Sequence, residues 1–124
     1  MKCYIGDPCY VIRGAAWNNI VKNHYNLDHT ENSHHIVNGH DCYLFNTAHG
    51  DGLFQLKDGE TVVAYLGVDA GMIGAVPLEA IPDIDVLTGL QLGYVADIDL
   101  SSDTCKSDDG DMTFGPYTVK TSWE

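Results

Sequence analysis

Three aspartates sit where chemistry could be done: Asp7 in GDPCY, Asp51 in TAHGDG and Asp69 in VDAGMIG, each close to a glycine and each at the end of an apolar run. Strand ends in a small sheet can converge. Three carboxylates meeting at one rim could coordinate Mg²⁺ or act as acid and base on a small substrate. Cys9, Tyr10 and Thr47 belong to the same turns and complete a set of ligand-binding candidates with Asp7, Asp51 and Asp69. The competing role is mechanical, because an aspartate before proline or near glycine accepts backbone N–H bonds and holds a bend. That role is the favoured one. On it, Asp7 and Pro8 kink YIGDPCYVI so that both apolar halves stay in the core.

Other reactive groupings are weaker. His24, His29, His34, His35 and His40 crowd one segment, followed at once by Asp41 and Cys42. Their spacing matches neither a helical H-E-x-x-H pair nor a zinc finger, so no metal and no cofactor are expected, and the segment reads as a solvated loop. Cys9 or Cys42 could be written with a histidine as thiol and base, yet no nucleophile elbow, phosphate loop or dinucleotide fingerprint accompanies them. In DIDLSSDTCKSDDGD, Asp97, Asp99, Asp108, Asp109 and Asp111 miss the register of a calcium loop and read as an outward charged face followed by a loop.

Eighteen acidic against six basic residues give a net charge of −12. Such a chain repels phosphate backbones and anionic headgroups over a Debye length, which argues against direct nucleic-acid or membrane binding. The partner it suits is a protein with a basic surface, such as one that holds DNA or RNA. Asp97, Asp99, Asp108, Asp109 and Asp111 are then the protein-binding candidates, steering encounter. The four cysteines form no C-x-x-C pair and are expected to stay reduced in a soluble, cytoplasmic protein.

These groups need positioning elements. The 124 residues suit one domain, 1–124. Short runs rich in Val, Ile, Tyr and Phe, punctuated by glycine turns, predict a β-rich α+β fold: an antiparallel sheet or half-barrel of about 7–8 short strands on one main helix. CYIGDPCYVI reads as two strand pieces around a kink, DCYLFNTA as a strand, and LFQLK as its hairpin partner across the Gly50 to Gly52 turn. Asp58-Gly59 has the form of a type I′ turn leading into TVVAYLGV, whose apolar residues on both parities predict a central strand. MIGAVPL, YVADIDL and a terminal DMTF/PYTVKTS hairpin follow, with a helical turn near 78–81 or 83–87. In GAAWNNIVKNHY, Trp17, Ile20, Val21 and His24 share one helical face. Residues 26–38 read as a polar excursion.

Taken in order, GDPCYVI, Trp17, NTAHGDG and VDAGMIGAVPLE resemble a group of small uncharacterised proteins of bacteria and their phages, and a larger bacterial domain family of unknown function. The histidine-rich excursion is not part of that pattern. No activity comes with the family. Because phages encode many small acidic proteins that bind and inhibit host enzymes or defence systems, the resemblance implies a binding protein, an inhibitor or modulator of such a target. The alternative is a small-ligand binder or metal-dependent hydrolase using the aspartate rim.

Overall fold

Apolar side chains on both parities of MIGAVP require cover on both faces, and the fold is arranged around meeting that demand. The computed structural model describes residues 1–12, 14–24, 33–69, 71–81, 93–108 and 110–121, without the side chains of 23 and 24. It contains a helix, α1 (Gly14–His24), and ten strands. In chain order these are β1 (Lys2–Gly6), β2 (His34–Val37), β3 (His40–Asn46), β4 (Gly52–Asp58), β5 (Thr61–Val68), β6 (Met72–Pro77), β7 (Tyr94–Asp97), β8 (Cys105–Asp108), β9 (Asp111–Phe114) and β10 (Tyr117–Lys120). Every pairing is antiparallel, in two five-stranded sheets ordered β2-β3-β6-β1-β7 and β5-β4-β10-β9-β8.

The described residues are therefore β-rich with one α-helix, but their ten strands form two sheets and not the single sheet or half-barrel of about 7–8 strands expected. The first sheet is the middle layer. Cys3, Ile5, Phe45, Ile73 and Ala75 face Leu56, Leu66, Met112, Phe114 and Val119 of the second sheet. Phe45 and Phe114 bridge the two, with ring centroids 5.7 Å apart in a tilted arrangement. On the opposite face, Tyr4, Leu44, Met72 and Val76 pack with Ile12, Ile20 and Val37, and Trp17 is half-buried against them. Burying side chains of this size stabilises the fold by roughly 1.5–3 kcal/mol each. Val21, expected on the inner helix face, is 38% exposed, and the side chain of His24 lies outside the described residues.

Several segments depart from the sequence reading for identifiable reasons. CYVI is not a second strand piece: Pro8–Tyr10 form a 3-10 turn capped by Asp7, because proline removes the donor that a ladder would need. LFQLK does not pair with DCYLFNTA. β3 belongs to the first sheet and β4 to the second, so the turn between them crosses sheets. TVVAYLGV is an edge strand and not a central one. A register shift opposite Leu56 and Lys57 switches which parity faces outward, so that Tyr65 on one side of it and Val62 on the other are both exposed. Its hairpin turns on Gly59-Glu60, since Asp58 pairs with Thr61; Gly59 has φ 63°, as a type II′ turn requires. The polar excursion ends in β2, joined to β3 through Asn38-Gly39 with φ 51° and 80°. Of the two candidate helical turns, Leu78–Ala80 forms a 3-10 turn, while 83–87 lie outside the described residues. No helix among the described residues is long and apolar enough to cross a membrane.

β6 passes so close to β3 that its central residue has no room for a side chain. A Cβ on Gly74 would overlap Leu44 Cδ2 and lie 2.7 Å from the Tyr43 carbonyl oxygen, which is backbone and cannot step aside. Gly74→Ala is expected to lower the unfolding free energy by about 1–3 kcal/mol, measured by urea denaturation. An unchanged midpoint would contradict this packing.

Candidate functional site

One end of the sandwich gathers four turns from distant parts of the chain. Asp7 stands where β1 leaves the first sheet, fully buried. Its Oδ1 accepts the Cys9 N–H at 2.9 Å, capping the 3-10 turn, and its Oδ2 accepts the Asp69 N–H at 2.6 Å. Asp69 directly follows β5 of the second sheet, so one carboxylate ties the sheets together. The Tyr4 hydroxyl donates to the Asp7 carbonyl at 3.0 Å, and the Tyr10 hydroxyl donates to Asp69 Oδ2 at 2.7 Å.

The TAHGDG turn is held beside this pair. Thr47 N–H donates to the Gly71 carbonyl at 2.9 Å, and its hydroxyl donates to the Gly50 carbonyl at 2.5 Å. Gly50 turns with φ 82°, a conformation that favours glycine. Asp51 is exposed, close enough for its charge to act on the Cys9 thiol. On the other side, Thr121 Oγ1 accepts the Ala48 N–H at 3.0 Å and donates to the Gly110 carbonyl at 2.6 Å. This brings the β8–β9 turn, with exposed Asp108 and half-buried Asp111, to the same end.

The six ligand-binding candidates, Asp7, Cys9, Tyr10, Thr47, Asp51 and Asp69, are thus neighbours, but most of their polar groups are engaged. Both Asp7 oxygens hold backbone donors, Thr47 serves its own turn, and Tyr10 serves Asp69. Burial first, then the Asp7 carboxylate, pushes the Cys9 thiol up to about 12; burial and then Asp69 push Tyr10 up as well. A thiol so protonated is a poor nucleophile. Among the described residues, no three His, Cys, Asp or Glu side chains are grouped to hold a metal ion.

The protein-binding candidates divide. Asp108 and Asp111 belong to this rim, whereas Asp97 and Asp99 stand at the opposite end, beside the N-terminus. The Met1 amine donates to Asp97 Oδ1 at 2.5 Å, and that contact lowers the Asp97 carboxyl and raises the amine. Asp109 lies outside the described residues. Of the histidines, His34 contacts Asp41 at 2.8 Å and packs at a tilt against the Tyr43 ring, and His35 is buried on β2. The polar partner that sequence reasoning missed is Thr121, whose only signal was a threonine closing the terminal strand.

Asp7→Asn places an amide donor against one of two converging backbone donors. It is expected to cost about 1.5–3 kcal/mol in urea unfolding, and Tyr10→Phe less. The thiols add a pH dependence. All four cysteines are free, and burial raises Cys3 to about 11 and Cys42 to about 12, as for Cys9. The folded chain therefore holds these protons more tightly than the unfolded chain, whose thiols ionise near the ordinary value of 9.0. That stability is intact below the unfolded value and is lost as pH rises toward the folded ones, so the urea midpoint should stay flat to about pH 8.5 and fall above about pH 9. A midpoint that rises there would contradict the burial of the thiols. Comparison of the chain with protein-family models, with curated proteins and with solved structures gives no match.

Proposed function

We propose that this protein acts by binding, as a small acidic module of bacterial or phage origin that inhibits or modulates a host or defence protein through the carboxylate-rich end of its sandwich. The observation that carries this reading is the meeting of the four turns. It places Asp51, Asp69 and Asp108, exposed and from three separate stretches of chain, on one rim. Among the described residues none of the three forms an ion pair. With a net charge of −12 behind it, such a rim attracts a basic protein surface and raises the rate of encounter. The bacterial or phage origin rests on the motif resemblance.

The rival reading, in which Asp7, Asp51 and Asp69 do acid–base or cation chemistry, asks Asp7 to serve a substrate with oxygens already committed to the Cys9 and Asp69 N–H groups. Cys9, held protonated beside it, adds no nucleophile.

Two triple variants with equal charge change separate the two ends: Asp51→Asn/Asp69→Asn/Asp108→Asn at the rim and Asp97→Asn/Asp99→Asn/Asp103→Asn at the far end. With a partner captured from host lysate and then purified, the rim variant should associate about tenfold more slowly or lose the complex, and the far-end variant should retain it. The wild-type association rate should also fall steeply as salt rises from about 50 to about 500 mM, which shortens the Debye length. Equal losses in both variants, or a salt-independent rate, would reject the rim as the contact.

A further inference from the structure

The outer face of the second sheet holds groups that the acidic rim does not use. Gln55 lies opposite Tyr65, and Lys57 opposite Thr118. Alternation therefore puts Leu53, Gln55 and Lys57 of β4 on one face with Tyr65 of β5 and with Thr118 and Lys120 of β10. These residues line a groove of about 610 Å³, within the roughly 300–1,000 Å³ of small-molecule sites. Leu53 and Tyr65 are 65% and 54% exposed, so the groove presents two large side chains that an apolar ring can cover.

Charge says what the groove would take. Lys57 and Lys120 occupy diagonal positions on neighbouring strands, where residues lie about 7–8 Å apart, so both ammonium groups can reach one anion. Two of the six basic residues in a chain of net charge −12 thus share a groove. Among the described residues neither forms an ion pair, although Glu60 stands at the turn end of the same groove and Asp111 of β9 lies directly opposite Lys120 on the same face. In one register a second copy added along the β5 edge is disfavoured. Antiparallel pairing of Thr61 with Val68 would set Glu60 of one chain against Asp69 of the other, and like charges directly opposite are destabilising.

We infer that this groove binds a small amphipathic anion, a planar ring carrying a phosphate or carboxylate. Lys57 and Lys120 hold the anionic group, Tyr65 and Leu53 lie against the ring, and Gln55 and Thr118 supply hydrogen bonds at its edge. The site lies on the outer face of the second sheet, bordering the acidic rim at Asp111, and is independent of any protein partner.

Titration of the protein with 1-naphthyl phosphate, followed by calorimetry and amide chemical shifts, tests the site. 1-Naphthol and inorganic phosphate serve as its ring-only and anion-only halves, and 1-naphthoate distinguishes a carboxylate from a phosphate. Naphthyl phosphate should bind about tenfold more tightly than either half. Lys57→Gln with Lys120→Gln should weaken it by about tenfold and leave naphthol unchanged, whereas Tyr65→Ala should weaken all three ring-bearing probes. Glu60→Gln should tighten the anions. Lys106→Gln removes one positive charge from β8, outside the groove, and should change nothing. Urea unfolding of each variant checks that the fold is kept. Naphthyl phosphate binding no better than phosphate alone would overturn the inference. So would an equal loss with Lys106→Gln, or a dimer in sedimentation that Tyr65→Ala dissolves.

Discussion

The fold depends on a buried carboxylate that belongs to both sheets at once. Asp7 has no contact with solvent, so its placement would be costly if its oxygens were left without donors. It receives the Cys9 N–H from its own turn and the Asp69 N–H from the far side of the sandwich. The apolar layer between the sheets supplies the bulk of the stabilisation but is indifferent to direction. Hydrogen bonds of this kind choose one arrangement of the layers over others. Thr121 does the same a short distance away, joining the TAHGDG turn to the β8–β9 turn through one hydroxyl.

This construction has a consequence for chemistry. Groups that would be reactive in another setting are spent on holding the rim: the carboxylate on backbone donors, the phenol on a neighbouring aspartate, the thiol kept protonated by burial. What remains available is charge. Exposed aspartates are left around the rim, while the opposite end neutralises part of its own charge through Met1 and Asp97. The surface is therefore uneven, acidic at the rim and with two of its six basic residues, Lys57 and Lys120, together on the outer face of the second sheet, and a single figure for net charge conceals that division.

Much of the fold was legible in the residues. The kink at Asp7-Pro8, the MIGAVPL strand, the terminal hairpin and the helix carrying Trp17 all follow from local rules of turn chemistry and periodicity. One readable signal went unused: Asn38-Gly39, a turn pair with two positive φ angles, announces the β2–β3 hairpin inside what looked like a polar loop. Other features had no local signature. LFQLK and DCYLFNTA are adjacent in sequence and both extended, yet they lie in different sheets. TVVAYLGV has the composition of a central strand and occupies an edge.

By itself the sequence determined where the chain turns, which faces of its strands are apolar and how negative the whole must be, because those depend on backbone preferences and transfer energies acting within a few residues. Only the tertiary structure decided which strands are neighbours, and with that which carboxylates are buried and which are left at the surface. A period of two says that a strand has an inner face; it does not say what that face meets. Asp7 and Asp69 are separated by 62 positions in the chain, and their hydrogen bond exists because two sheets, each unable to bury its apolar side alone, were pressed together there.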